Sequence, residues 1–428
     1  FLSIALAFSF IGRNILYYLS QKKIFKFSYK IQENLRYKLF KKYITGSYSF
    51  ILNRKSENLI QNIIRNIDSF IEIVLIAFLQ ITSQTFFIIL ITFLLFFSNP
   101  QIFLYLIIFV ILFIIFYFLR YRKKFENLGH QNIHFQKKII LLSTQAIKGI
   151  KEIKIFGLEN FFLKDLSNKS NNYINALVSY KSSIIVPRMT LETLVIVFVV
   201  FISIYNFTNK INLSYIIPTL SLFAASIIRL LPSINIFTTS ILSLKYANPV
   251  IEDLYNDLHE DQPIINLIKN NKKQLIDFNS LEFKNVSFAY DNNLSKIVLD
   301  SINLNFKKNS MIGIFGESGS GKTTLMNLML GLLKHNQGLI KVNNIELSKI
   351  NINEWHNLIA YIPQEAFIIE GTILENIAIG VSKKNIDYDK IKFSLKHASL
   401  NSFINKLKNG LNESLKNDAT NISGGEKQ

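Results

Sequence analysis

Five long apolar runs constrain this chain more than any other feature: residues 1–19, 70–98, 102–119, 184–208 and 214–237. Crossing the hydrocarbon core of a bilayer as a helix takes roughly 20 mostly apolar residues, and each run reaches or approaches that length. Buried helices of a water-soluble protein are a poor alternative for a stretch such as Phe86 to Phe97, where Thr92 is the one polar residue. A hydrophobic fraction of 49%, with 37 phenylalanines in 428 residues, agrees with a membrane-embedded bundle.

The connections between the runs give the orientation. Between the first two lie Lys22, Lys23, Lys26, Lys30, Arg36, Lys38, Lys41, Lys42, Arg54 and Lys55, opposed by Glu33 and Glu57. Residues 120–183 are basic in the same way, from Arg120, Arg122, Lys123 and Lys124 through Lys181. By contrast, Ser98-Asn99-Pro100-Gln101 and the stretch from Asn209 to Leu213 have room only for tight turns. Lysine and arginine concentrate in loops on the cytoplasmic side, which places the long loops there. The net charge of +19 therefore belongs to loops, and without interleaved aromatic platforms it gives no case for nucleic acid as a partner. The absence of cysteine excludes a disulfide, a thiolate metal site and a thiol nucleophile.

Within the long loops, Ile139, Ile140, Ile147, Ile150, Ile153 and Ile155 recur at helical spacing, so the spans are expected to continue as helices into the cytoplasm. Breaks near Gly46-Ser47 and Gly157 predict short helices over 47–55 and 157–166 at the cytoplasmic tips. Residues 1–260 are thus read as a membrane domain and 261–274 as a polar linker. Residues 275–428 read as a soluble α/β domain whose first strand is Leu281 to Phe288. The chain opens on Phe1 inside an apolar run and stops at Gln428 inside a motif, so both ends are read as cut.

The α/β region carries the chemistry. Gly316-Glu317-Ser318-Gly319-Ser320-Gly321-Lys322-Thr323-Thr324 stands between a predicted apolar strand, Met311 to Phe315, and a predicted helix, Leu325 to Leu333. Glycines let backbone N–H groups turn onto phosphate oxygens, and the helix N-terminus adds partial positive charge. In this context the motif is a phosphate-binding loop in which Lys322 reaches the β- and γ-phosphates of ATP and Thr323 ligates Mg²⁺. Tyr290, 26 residues before the loop, reads alone more readily as packing than as a ligand platform. Tyr361-Ile362-Pro363-Gln364, at the end of a further predicted strand, is as unspecific alone. Ser423-Gly424-Gly425 opens a helix that either receives phosphate or caps a surface.

In this order and spacing the four features resemble one family, the ATP-binding cassette transporters, of the exporter type with the membrane domain ahead of the cassette. The resemblance implies a helical membrane bundle of six spans, five visible here, followed by an α/β phosphate-loop ATPase truncated at its signature motif. It implies that Tyr290 stacks on adenine, that Gln364 senses Mg²⁺, and that Ser423, Gly424 and Gly425 belong to the signature motif. That motif in the family is Leu-Ser-Gly-Gly-Gln; here Ile422 and Glu426 replace the first and last residues. The catalytic glutamate and switch histidine are expected beyond Gln428. Val186 to Glu192, Arg229 to Ser233 and Tyr361 to Gln364 further resemble bacterial flippases of lipid-linked oligosaccharides.

The implied partners are a second half-transporter, identical or not, the inner membrane of a bacterium and a lipid cargo. The resemblance also accommodates an exporter of peptides or drugs, a poorly hydrolysing regulatory subunit and an ATP-gated channel. Charges inside apolar runs face a bundle interior or an aqueous cavity, and Arg13, Arg188, Glu192 and Arg229 are such charges. Arg188 and Glu192 stand four residues apart and either pair with each other or meet cargo. Arg229 has no acid in its own span, so it meets either an anionic headgroup or a partner from another helix.

Overall fold

The structure is a computed structural model that describes residues 2–98, 100–208, 213–259, 277–290, 297–364, 366–415 and 422–428. It falls into two compact units, Phe1–Ile268 and Lys269–Gln428. The expected linker at 261–274 and residues 209–212 of the expected turn at 209–213 lie outside the described residues; Leu213 opens the helix that follows.

The first unit is helical. It comprises α1 (Leu2–Thr45), α2 (Tyr48–Leu52), α3 (Ser56–Gln61), α4 (Ile67–Ser69), α5 (Ile76–Ser98), α6 (Pro100–Lys148), α7 (Ile150–Phe156), α8 (Glu159–Thr208), α9 (Leu213–Tyr246) and α10 (Asn248–His259). Two π-helical stretches, Asn62–Asn66 and Phe70–Leu75, join α3, α4 and α5 without interruption. Each apolar run is embedded in a longer helix, because in lipid the backbone satisfies its own hydrogen bonds only as a helix or a closed barrel. In the helix Ser56–Phe93 an 18-residue window of mean hydropathy 2.2 is only 6% buried. Phe86, Phe93, Phe116 and Phe201 are all exposed, as side chains facing hydrocarbon should be.

Where helices meet, the sequence is specialised. A Cβ on Gly129 of α6 would lie 2.0 Å from the Tyr246 carbonyl oxygen of α9, so only glycine allows that approach. Beside it, the rings of Tyr180 and Tyr246 stack with centroids 3.6 Å apart. Pro187 within α8 has no N–H for the Ser183 carbonyl one turn back. The Tyr117 hydroxyl of α6 donates to that carbonyl instead, at 3.1 Å.

The first tip falls where it is expected, with α2 between bends at Gly46 and Asn53. The second does not. The short helix is α7, which precedes Gly157, and residues 159–166 are the opening turns of α8. Gly157 ends α7 as a left-handed C-terminal residue.

The second unit contains β1 (Ser280–Ala289), β2 (Ile297–Lys307), α11 (Lys322–Met329), β3 (Gln337–Val342), β4 (Ile345–Glu346), α12 (Ile352–Asn357), β5 (Gly371–Thr372), α13 (Ile373–Ile377), α14 (Tyr388–His397), α15 (Asn401–Lys406), β6 (Ser414–Leu415) and α16 (Gly424–Lys427). The larger sheet is antiparallel in the order β2-β1-β3-β4, and β5 pairs with β6. Alternate residues of β1, such as Leu281 and Phe283, are buried.

Two expected strands are absent. Met311 to Phe315 and Tyr361 to Gln364 are in no ladder, and Met311 and Phe315 are 101% and 94% exposed. A strand exists only through its neighbour's hydrogen bonds, and no described segment pairs with either.

Candidate functional site

The expected phosphate loop, Gly316 to Thr324, is shaped by two glycines with positive φ, Gly319 at +85° and Gly321 at +88°. Gly321 caps α11 and lies against β2, where an added Cβ would sit 2.9 Å from Leu299 Cδ2 and 3.2 Å from the Val298 carbonyl oxygen. A side chain at 321 is therefore excluded twice, by backbone conformation and by space. The Leu325 N–H donates to the Gly321 carbonyl at 2.8 Å and starts the helical ladder, leaving the first-turn amides directed at the loop.

Lys322 folds its ammonium back over the loop, donating to the carbonyls of Gly316 at 2.8 Å and Glu317 at 2.6 Å. Positive charge and unpaired amides thus converge at the N-terminus of α11, an arrangement suited to phosphate. Glu317, Ser318 and Ser320 fill the exposed outer rim of the loop. The far end of α11 is pinned too: Trp355 Nε1 donates to the Met329 carbonyl at 3.0 Å, and His356 Nε2 to that of Leu330 at 2.8 Å.

Two adjacent threonines are divided by the helix. Thr324 is buried and shares a 2.9 Å hydrogen bond with the Tyr290 hydroxyl, whereas Thr323 is exposed. Tyr290 follows directly on β1, so the sheet and this bond bring it beside the loop. Its ring packs edge-on against Phe288 at 5.0 Å and stays 44% exposed. The sequence assigns the Mg²⁺ role to Thr323 and only loop membership to Thr324; the bond from Thr324 to Tyr290 is not foreseen there, because its signal lies in burial.

Gln364 is exposed on an irregular segment, and Gln428 Nε2 approaches the neighbouring Pro363 carbonyl at 3.4 Å. The end of the chain and the 361–364 segment are therefore neighbours. Ser423 is engaged locally. Its N–H and hydroxyl both donate to Glu426 Oε2, at 2.8 and 2.7 Å, while its hydroxyl accepts from the Glu426 N–H at 3.4 Å. This is a reciprocal capping box, and the hydrogen bonds from Ser423 hold the Glu426 carboxyl below its ordinary range. Glutamate at 426 thus has a local structural role.

In the membrane unit, Arg188 Nε donates to Glu192 Oε1 at 2.8 Å within α8, with both side chains exposed. Arg229 stands in α9, and its side chain lies outside the described set.

Comparison with known proteins follows this division. Residues 1–230 match the ABC transporter transmembrane region and residues 299–428 the ABC transporter family proper. An ATP-dependent lipid A-core flippase of Francisella tularensis is 25% identical across 98% of this chain and 67% of its own length. An export ATP-binding/permease protein of Rickettsia bellii is 35% identical over 188 residues, which is 44% of this chain and 30% of that protein. Among solved structures, a bacterial Atm1-family ABC exporter with ATP bound superposes with a TM-score of 0.79 at 16% identity, over 94% of this chain and 69% of that one. That likeness is one of fold. A membrane bundle and a phosphate-loop unit, each matched in its own right along one polypeptide, make this chain a member of the ABC transporter family.

Proposed function

We propose that this chain forms most of a half-transporter in which ATP binding and hydrolysis drive export or flipping of a lipid across a bacterial inner membrane. The observation that carries this reading is the joining, in one polypeptide, of membrane-length helices to a phosphate loop at the N-terminus of α11. The description of the Francisella relative as a lipid A-core flippase, along nearly the whole chain, supports a lipid cargo. The nucleotide unit is then cytoplasmic, on the side of the basic loops.

In this reading the amides of Gly316 to Thr324 and the Lys322 ammonium hold the phosphates and offset the charge of phosphoryl transfer. The exposed ring of Tyr290 stacks on adenine. Thr323 and Gln364 offer a hydroxyl and an amide oxygen, hard neutral donors that suit Mg²⁺ held chiefly through nucleotide phosphates. Mg²⁺, when bound, neutralises charge on the phosphate oxygens. Ser423, Gly424 and Gly425 complete the site of a second copy, and space for at least 4 Å around a Cβ at either glycine keeps that surface open to an approaching phosphate. No residue is assigned as general base.

The second tip supports a dimer. Ile150, Ile155, Phe156, Phe161 and Leu163 are all exposed there, beyond the spans, and such an apolar patch calls for a protein surface to cover it. For cargo, Arg229 is the proposed contact to an anionic headgroup, since its fork binds phosphate oxygens in pairs. Arg188, engaged by Glu192, is the weaker candidate.

Reconstitution of the full-length protein in vesicles tests both levels. Wild type should hydrolyse ATP and flip a fluorescent lipid-linked oligosaccharide, and Lys322→Ala should do neither. Hydrolysis by Lys322→Ala at the wild-type rate would remove the assignment of the loop. ATP turnover by wild type with no movement of any lipid probe would leave an ABC ATPase and remove the lipid cargo.

A further inference from the structure

Asp257 of α10 is a buried charge, its side chain 4% exposed. Three donors from three elements converge on it. Tyr43 of α1 and Arg54, just past α2, make short contacts to its two oxygens, and Asn62 Nδ2 of the first π stretch donates at 2.6 Å. One turn earlier in α10, Asp253 accepts from Lys137 Nζ of α6 at 2.7 Å and from Asn66 Nδ2 at 3.4 Å. Asn66 also donates to Asn62 Oδ1 at 2.6 Å, which joins the two carboxylates into one network. Lys42 of α1 closes it by donating to the Leu258 carbonyl at 2.9 Å.

The surroundings are apolar. Tyr43, Phe50, Leu59, Val250 and Leu254 form one buried cluster, and the Arg54 guanidinium lies 4.3 Å over the Phe50 ring. Burial, reinforced by Asp257, pushes the Tyr43 hydroxyl up, so it remains a donor. A carboxylate withdrawn from water in this way is tolerated only while its donors stay in place. Sliding α10 against α1 or the tip would strand the charge, whereas an apolar contact would allow the slide.

The position of α10 gives this a consequence. It is the last described helix of the membrane unit, and the chain continues from it through residues 260–276 to the nucleotide unit. We propose that the Asp253 and Asp257 network is a clamp binding α10, the first tip and the adjoining part of α6 into one rigid body, so that displacement entering at residue 260 moves the tip and second span together. Asp257 is a positioning residue, and the proposal rests on the ATP-driven reading above.

These residues contain no cysteine, so once any cysteine elsewhere in the full-length protein is replaced by serine, introduced thiols are unique labels. Ser49 and Asn256 are exposed on either side of the clamp. In the full-length protein, spin labels at Ser49→Cys and Asn256→Cys, in copies diluted with unlabelled ones, report their separation. A single label at Asn256→Cys in each copy reports motion between copies. The 49–256 distance should stay single and narrow with and without ATP plus vanadate, while the distance between copies changes. In Asp257→Asn, which turns an amide toward the Arg54 and Tyr43 donors, the 49–256 distribution should broaden. ATP turnover should then stay within about threefold of wild type while the change between copies is lost, whereas general damage would lower both. Should Asp257→Asn fail to assemble, Tyr43→Phe removes one donor and should broaden the distribution less.

A wild-type 49–256 shift of more than about 5 Å, one helical turn, on adding nucleotide would overturn the clamp and leave the transporter reading intact. So would narrow, unchanged distributions in the variants. A wild type that neither turns over ATP nor moves at any label would overturn the transporter reading, and the clamp with it.

Discussion

The two tips of the membrane unit are built on opposite principles. The first, around α2, is bound to its own chain through a buried ion pair, a tyrosine and two asparagines centred on Asp257. The second, around α7, leaves Ile155, Phe156 and Phe161 exposed, and the ion pair of Lys154 with Glu159 at 3.2 Å is largely exposed too. A polar network desolvated within one chain fixes geometry, while an apolar surface left uncovered awaits another. The contrast fits the two proposals, the first tip as a clamp within the chain and the second as a contact between copies.

Three experiments break or sharpen that contrast. The largest effect is expected at the first tip, where Asp257→Ala removes the carboxylate that Arg54, Tyr43 and Asn62 share in an apolar setting. Loss of one partner from a buried pair costs about 3–5 kcal/mol, so the detergent-solubilised protein should unfold at a clearly lower temperature. A wild-type melting curve would show that water reaches the network.

Next comes Phe156→Ser at the second tip. An exposed substitution away from special features shifts stability by about 0.5 kcal/mol or less, so melting should be unchanged. If the proposed dimer uses this patch, coupled transport in vesicles should nonetheless fall, because the lost ring is part of the apolar surface that a second copy would cover. Transport at the wild-type rate would remove this tip from the interface.

The smallest effect is a pH response of the second tip. A hydrogen bond from its own backbone N–H, then the Lys154 ammonium, holds the Glu159 carboxyl below its ordinary value. Its contribution is complete above the ordinary carboxylate range and is lost as pH falls through the depressed folded value. Hydrogen exchange at the amides of 158–162, corrected for intrinsic rates, should therefore rise modestly on acidification. No rise would mean that the pair with Lys154 does not hold the start of α8.

Much of this was legible in the sequence. The helices over the apolar runs were, because lipid forces a continuous helix on such a chain, and among the described residues Ser56–Phe93 is long and apolar enough to cross a membrane. The turn into α11 at Gly319 to Lys322 was, because glycines there supply the positive φ that the turn needs. Gly157 was misread: a glycine break marks a helix end as readily as a start, and here it closes α7 instead of opening a tip helix. Met311 to Phe315 has the composition of a strand, yet strand formation is decided by a neighbour that composition does not reveal. The clamp was invisible because Tyr43, Arg54, Asn62, Lys137 and Asp257 are scattered over more than two hundred positions and meet only through packing. The faint signal was Asp253 and Asp257, four residues apart beside the apolar Val250 and Leu254 on a short helix.

The π-helical stretches at Asn62–Asn66 and Phe70–Leu75 carry a mechanical consequence. Each stores a residue beyond what the ordinary α ladder would hold. Letting one residue slip through such a stretch swivels the helix beyond it by about 100° and advances it by about 1.5 Å. With Asn62 and Asn66 held in the Asp253 and Asp257 network, such a swivel is confined to the second stretch, so the span beyond Leu75 has a freedom to turn that the clamped part lacks.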